Sequence, residues 1–480
     1  MSSAPDSPSP ASGRNPAGRW ERLTLIHVGM LGLLVTWAFG GAAPWARTLV
    51  AAWASLGAVI TLAALRLRAG RARRSPLAWL WPVAALNGLV LLSCLNPSFE
   101  LKHYGPEALL AYTGARHAAL PSTAHPATSL AHLWLFDAIY LACFNLALLV
   151  QHRRALRLLI LVLVGNGALL AVFGTFQHLV SDGLYFGLVP SPNTRCFATF
   201  VYGNHWSAYV ALLLAAGTGL AFHYWRREVD LGLSRSPVIV GVLGLFLIAI
   251  TPALAGSRAG ILLVLVVGLA AAARGLRRVV RDRRQHGEPV AGPVTAGLLV
   301  AGLAIGSAAY LGEDALQERW HDTTGQWRSG LLAERLQLYA DTWRIAAQQP
   351  AFGWGLGCYD KVLLLVRPRP LEANRQYEHS YVDAHSDWLQ ALAEIGWLGT
   401  ALVGLTVVLP LRSVSRGHLR SNVTAYLLGG CGLVLLYAAV EFPFGNPAVV
   451  VTWWICFFSG LQYARLRRRE SSGFDTLSSP

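Results

Sequence analysis

The residue in this sequence best placed to do chemistry is a histidine. His385 stands where a long polar segment meets an apolar run, in the order Tyr381-Val382-Asp383-Ala384-His385-Ser386-Asp387-Trp388. A neutral imidazole can take a proton from a hydroxyl near neutral pH. At a membrane boundary it can meet a lipid-borne substrate from the bilayer and an acceptor from outside. On residue type alone, a helix cap or an interfacial anchor explains His385 better. Asp383, Asp387 and Glu394 can orient the ring, although acids at a helix start more often face its positive end. His379 and His385 are six apart, which does not place both on one helix face, so no metal pair is read there.

The elements that must position these residues are visible in the composition. Of 480 residues, 54% are apolar and only 14% are charged, with a formal net charge of +15. A soluble protein carries about 25% charged residues. The apolar content also excludes disorder for most of the chain. The apolar residues fall into twelve blocks near the roughly 20 residues that cross a bilayer as a helix. The expected fold is all-α and polytopic, with about twelve transmembrane helices and one large periplasmic loop containing short helices. The stretch 1–22 reads as a disordered tail, 23–311 as helices one to nine and 312–387 as the large loop. Helices ten to twelve follow over 388–465, then a tail over 466–480. The first apolar run has no small-residue cleavage site after it, so it reads as a span rather than a signal peptide.

Seven basic clusters, from Arg14–Arg22 to Arg465–Arg469, hold 27 of the 40 Lys and Arg residues. All fall on one side if the twelve spans alternate. The positive-inside rule makes that side the cytoplasm, with both termini in it. The +15 balance is then a topological signal rather than a nucleic-acid surface. Arg195, Arg258 and Arg335 break the trend and fall on the opposite side. That side also carries three long connections, over 96–130, 181–204 and 312–387. In the last, Glu334–Gln348 has the pattern of an amphipathic helix lying on the bilayer surface. Pro350 ends it, and Gly353-Trp354-Gly355-Leu356-Gly357 makes a turn. The histidines of the first loop, His103, His117 and His125, read as interfacial or acceptor-binding residues before a metal site. Cys196 and Cys358 lie in loops where an oxidising compartment permits a disulfide, but nothing in the sequence sets their distance.

The stretch from His385 resembles the signature of the O-antigen ligase and O-antigen polymerase superfamily. That signature is His followed by Asn, Ser or Gln, nine residues, Gly, two residues, then Gly, Thr or Tyr. Here it reads His385-Ser386, nine residues to Ile395, then Gly396-Trp397-Leu398-Gly399. Three further elements are similar to the family's, in the same order. They are Arg195-Cys196-Phe197-Ala198-Thr199-Phe200 with Asn204, Ser257-Arg258-Ala259-Gly260, and Arg335 with Trp343 and Pro350–Gly357. The segment Lys361–Glu378 matches no motif.

The resemblance implies an inner-membrane glycosyltransferase whose donor is a glycan on undecaprenyl pyrophosphate. It implies no cofactor, no metal and a periplasmic active site. An acceptor hydroxyl, on lipid A–core or another glycan, attacks the anomeric carbon and the lipid pyrophosphate leaves. Arg supplies planar, bidentate donors to phosphate oxygens. Arg258 and Arg335 are expected to clamp the pyrophosphate with help from Arg195, and His385 to act as general base. Ser386, Gly396 and Gly399 support the motif. A polymerase or a protein-glycosylating enzyme fits the same motifs. A transporter is the alternative from another class, given polar residues such as Asn166, Gln177 and Glu441 in or beside the spans. A non-catalytic scaffold for envelope assembly is a third class.

Overall fold

Long apolar runs fold as helices because a bilayer offers no water to satisfy backbone N–H and C=O groups. The computed structural model describes residues 16–67, 76–104, 107–181, 184–191, 193, 196–231, 237–292, 295, 302, 306, 331–367, 381–414, 417, 419 and 421–475. Its first eight helices are α1 (Pro16–Trp37), α2 (Pro44–Leu67), α3 (Trp81–Cys94), α4 (Pro126–Leu149), α5 (Arg153–Val180), α6 (Gly203–Leu231), α7 (Pro237–Leu254) and α8 (Arg258–Gln285). Then come α9 (Leu331–Gln348), α10 (Tyr359–Val362), α11 (Asp387–Leu411), α12 (Asn422–Tyr437) and α13 (Pro447–Asp475). Among the described residues, eight helices are long and apolar enough to cross a membrane, and α7 and α12 are apolar but shorter. The chain is a mostly helical, multi-pass membrane protein. The last part of the stretch read as helices one to nine, 290–311, lies mostly outside the described residues, and with it the count of twelve spans.

Helix α1 starts at Pro16, inside the stretch read as a tail. Glu21 explains this, because it is buried and accepts from the backbone N–H groups of Gln151 and His152 at 3.2 and 3.0 Å. At the other end of the chain α13 runs on to Asp475, past the expected boundary at 465. Arg, Leu and Glu are good helix formers and carry the helix beyond the apolar stretch.

Three helices form the centre. The apolar window of α13 is 94% buried within the protein, that of α6 83% and that of α4 67%, against 17% for α8. Trp454 and Phe458 of α13 pack edge-on against Tyr140 of α4, with ring centroids 4.8 and 5.5 Å apart. Small residues bring α2 and α4 together, since a Cβ on Gly57 would meet the Ala142 backbone at 2.6 Å. The polar residues noted inside the spans act as fasteners. Asn166 accepts from Trp37 Nε1 and donates to Thr36 and Tyr209, and Gln177 donates to the Ala198 carbonyl. These partners account for them without a transport pathway.

Residues of three of the basic clusters mark one end of this bundle. There Arg465 stacks on Trp79, Arg274 donates to Asn422 and Arg157 donates to Tyr463. The other end carries a folded cap. A hairpin, β1 (Phe99–Tyr104) and β2 (Glu107–Tyr112), pairs antiparallel with Phe99 opposite Tyr112. Phe99, Leu338, Ile345, Trp354, Tyr359 and Ala384 close a second hydrophobic core. Trp354 is therefore a core residue. Helix α9 contributes Leu338 and Ile345 to this core, so it packs onto the cap rather than lying free on a bilayer surface.

Candidate active site

The site forms where the starts of α6, α8 and α11, the face of α9 and the turn after α12 converge. Glu441, in that turn, is at its centre and nearly buried. Arg335 Nη2 of α9 donates to Glu441 Oε1 at 2.7 Å, and Asn204 Nδ2 of α6 donates to the same oxygen at 2.9 Å. His385 Nδ1 stands 3.7 Å from the other oxygen, Oε2. That is longer than a hydrogen bond. Burial pushes the Glu441 carboxyl up, but His385 and Arg335 outweigh it and hold it below its ordinary value.

His385 is positioned by its backbone. Its φ of 52° lies in the left-handed region, which costs a non-glycine residue about 1–3 kcal/mol. Neighbours hold it there. Tyr339 OH donates to the His385 carbonyl at 3.0 Å, and Ser386 caps α11 by accepting from Leu389 N at 3.4 Å. Asp387 N donates to the Ala438 carbonyl at 3.0 Å. The imidazole meets the Phe442 ring edge-on at 4.8 Å. Helix α9 is pinned above it, with Asp341 taking Arg367 at 2.7 Å and Tyr381 OH donating to Glu334 at 2.5 Å.

Arg258 reaches the same place through its cap. Ser257 Oγ accepts from Gly260 N at 3.0 Å and donates to Asn204 Oδ1 at 2.6 Å. The Ser-Arg-Ala-Gly start of α8 is thereby tied to Asn204 and so to Glu441. Arg258 is the first residue of the helix and its side chain is exposed. Arg335 keeps 44% of its side chain exposed despite the pair with Glu441. Arg195 lies outside the described residues, as does His379.

The signature glycines have a structural reason. Helix α11 breaks at Gly396, with φ 62° and ψ −171°, so it is not one continuous helix. The turn Pro350–Gly357 fills the break. Trp397 N and Leu398 N donate to the carbonyls of Pro350 and Ala351, and Trp354 N and Gly355 N donate to those of Ala393 and Glu394. A Cβ on Gly396 would meet the Ala351 backbone at 2.5 Å, and one on Gly399 would meet the Ile395 side chain. Gly396→Ala is expected to lose about 1–3 kcal/mol or more from backbone strain alone. A thermal-unfolding midpoint unchanged from the parent would overturn this account.

Neither Asp387 nor Glu394 orients His385. Asp387 accepts from Phe444 N at 2.9 Å, while Glu394 accepts from Gly357 N at 2.6 Å and Gln390 Nε2 at 3.0 Å. The carboxylate beside the ring is Glu441, which the sequence marked only as a polar residue near a span. An acid between two apolar blocks signals function but not its partner. Cys196 and Cys358 are both free, and Cys358 sits beside Thr123 and Ser129. His125 caps α4 by accepting from Thr128 N, and no cluster of three metal-ligating side chains occurs among the described residues.

A family model described as O-antigen ligase matches residues 243–404. The match takes in Arg258, Arg335, His385, Gly396 and Gly399, and leaves out Asn204 and Glu441. No curated protein matches the chain.

Proposed function

We propose, from the match of residues 243–404 to the O-antigen ligase family, that this chain transfers a glycan from undecaprenyl pyrophosphate to an acceptor hydroxyl. The observation that carries this reading is the convergence of His385, Arg335 and the Arg258 helix start on Glu441 and Asn204. His385 acts as general base. With Nδ1 turned to Glu441, its Nε2 takes the proton from the acceptor O–H. The acceptor oxygen forms a bond to the anomeric carbon. The carbon–oxygen bond to the pyrophosphate breaks, and its electron pair leaves with the lipid pyrophosphate. Glu441 favours the imidazolium that results, as a buried carboxylate does beside a histidine base. Arg258 and Arg335 hold the departing negative charge with charge-assisted hydrogen bonds, and Arg195 assists.

The site faces the periplasm in this reading, with both termini in the cytoplasm of a bacterial inner membrane. Lipid A–core is the first acceptor to test. A polymerase or a protein-glycosylating enzyme would use the same residues with another acceptor. Deletion separates these readings. Loss of all long glycan on lipid A–core, with lipid-linked polymer accumulating, marks a ligase, and single repeats on the core mark a lost polymerase.

The arginine clamp has its own test. A hydrogen bond to a charged group is worth about 1.5–3 kcal/mol. Arg258→Ala and Arg335→Ala are each expected to raise the donor KM roughly 10- to 100-fold and to leave the acceptor KM near the parent value. A larger change for the acceptor than for the donor would refute the clamp.

A further inference from the structure

Helix α8 is the least buried of the eight long apolar helices, with 17% of its apolar window inside the protein. It starts at Arg258 and runs 28 residues to Gln285, roughly 42 Å at 1.5 Å per residue. A hydrocarbon core of about 30 Å takes up only about 20 of them. The helix therefore carries on past the apolar layer at the end away from the candidate active site. That end holds six arginines between Arg274 and Arg284. Three of them have partners. Arg274 Nε donates to Asn422 Oδ1 at 2.8 Å, and Arg278 stacks over the Trp225 ring at 5.4 Å. Arg278 also lies 3.9 Å from Asp282, and Arg283 lies 3.6 Å from Glu288. The contacts of Arg274 and Arg278 fix this end of α8 against α12 and α6.

The other three, Arg277, Arg281 and Arg284, are exposed and have no partner among the described residues. Their spacing puts them on one face of the helix. That face continues the lipid side of the span. At about 100° per residue, Leu262, Val266, Leu269, Arg277, Arg281 and Arg284 fall within roughly 120° of arc, and all six are exposed. The charge trend that orients the spans asks only for arginines at this end. It does not ask that three stay unpaired in line with the lipid-facing side. An apolar face exposed on a membrane span is covered by acyl chains, so cations on the same face meet what those chains are attached to. From Arg277 back to Leu269 is roughly 12 Å, within the roughly 15 Å depth of one leaflet. Arg suits a phosphodiester, because its planar guanidinium donates to two phosphate oxygens at once. A soluble anion, a nucleic acid or an acidic protein would satisfy the arginines but not the apolar face below them.

We propose that Arg277, Arg281 and Arg284 form a binding site for an anionic phospholipid in the leaflet away from the candidate active site. The phosphate sits on the arginines, and an acyl chain lies along Ala273 and Leu269. The site is independent of the glycosyl-transfer reading, since none of these residues takes part in it.

The test uses the full chain in phosphatidylcholine nanodiscs that carry a trace of phosphatidylglycerol with a diazirine in one acyl chain. Labelled peptides are mapped by mass spectrometry. Labelling of the stretch 266–273 is expected to exceed that by a phosphatidylcholine probe of the same chain by about tenfold or more. Unlabelled phosphatidylglycerol should compete, while inorganic phosphate and a polyglutamate peptide should leave the labelling within about twofold. Arg281→Gln should weaken binding about fivefold, and the same change at all three arginines about 100-fold. Replacing all three by Lys keeps the charge and should retain most of the labelling. A thermal-unfolding curve and unchanged labelling of the other helices show that each variant is folded, and Arg281→Gln alone decides the matter if the triple change does not fold. Equal labelling by the two probes, or labelling unchanged by the Gln variants, would make this face ordinary lipid contact. Displacement by inorganic phosphate would reassign the arginines to a soluble anion, and displacement by polyglutamate to an acidic protein. Each of these results overturns the proposal.

Discussion

His385→Ala is expected to abolish glycan transfer while the protein still inserts and folds. A positioned general base contributes typically 10²–10⁴-fold to a rate. The His385 side chain keeps 21% of its surface exposed, and its contacts are to Glu441 and the rings of Phe442 and Tyr381. Removing it therefore empties no core position. The backbone hydrogen bonds that hold the turn, from Tyr339 OH and to Ala438 O, do not depend on the ring. His385→Gln serves as the control for shape, because it keeps a polar side chain of similar length without a titrating nitrogen. The measurement is transfer from undecaprenyl pyrophosphate donor by purified protein, beside a thermal-unfolding curve. Full activity in either variant would end the general-base role. Lost activity with lost folding would instead assign His385 to structure.

Glu441→Ala is expected to be the most damaging change outside the family signature. It removes the shared acceptor of Arg335 and Asn204 and the charge beside His385. Hydrogen bonds to charged groups are worth about 1.5–3 kcal/mol. The Arg335 pair is discounted, because a side chain that is 44% exposed recovers much of its hydration. The Asn204 bond is partly buried and also ties in Ser257, so its loss loosens the start of α8. A stability loss of about 2 kcal/mol and a fall in kcat of roughly 10² are expected together. Glu441→Gln separates the two effects. It keeps an oxygen for Arg335 and Asn204 but not the charge, so it should lose less stability than Glu441→Ala and still lose kcat.

The pH dependence gives Glu441 an independent check. Its folded carboxyl is held below the ordinary value of 4.5. A depressed folded value means that the stability it contributes is fully present above the unfolded value and is lost as pH falls through the folded one. The stability gap between the parent and Glu441→Gln should therefore be constant at neutral pH and close in acid below about 4.5. A gap that persists in strong acid would show that charge is not its source.

Much of the architecture was legible because membrane helices obey local rules. Bilayer thickness sets the length of an apolar block, and unsatisfied backbone forces it to be helical. Residues of three Arg-rich helix ends, Arg157, Arg274 and Arg465, meet side chains of other segments. The His385-Ser386 start of a helix was equally readable, since a polar cap before an apolar run is a short-range pattern. Local patterns also placed Arg258 and Arg335 against the charge trend.

What they could not give is partnership across the chain. Sequence alone determined the helical, multi-pass class, the position of His385 at a helix start and the resemblance that turned out to cover residues 243–404. Tertiary structure decided which acid stands beside the imidazole. Asp387 and Glu394 are nearer in sequence, yet a helix start aims them at Phe444 and at Gly357, and Glu441 arrives from the next turn between helices. It also decided that α11 breaks at Gly396 and that the long loop carries a hydrophobic core. The reason is physical. A bilayer acts on each segment separately, so its constraints are written segment by segment. A buried carboxylate is stable only where separate segments bring it partners, and that depends on packing alone.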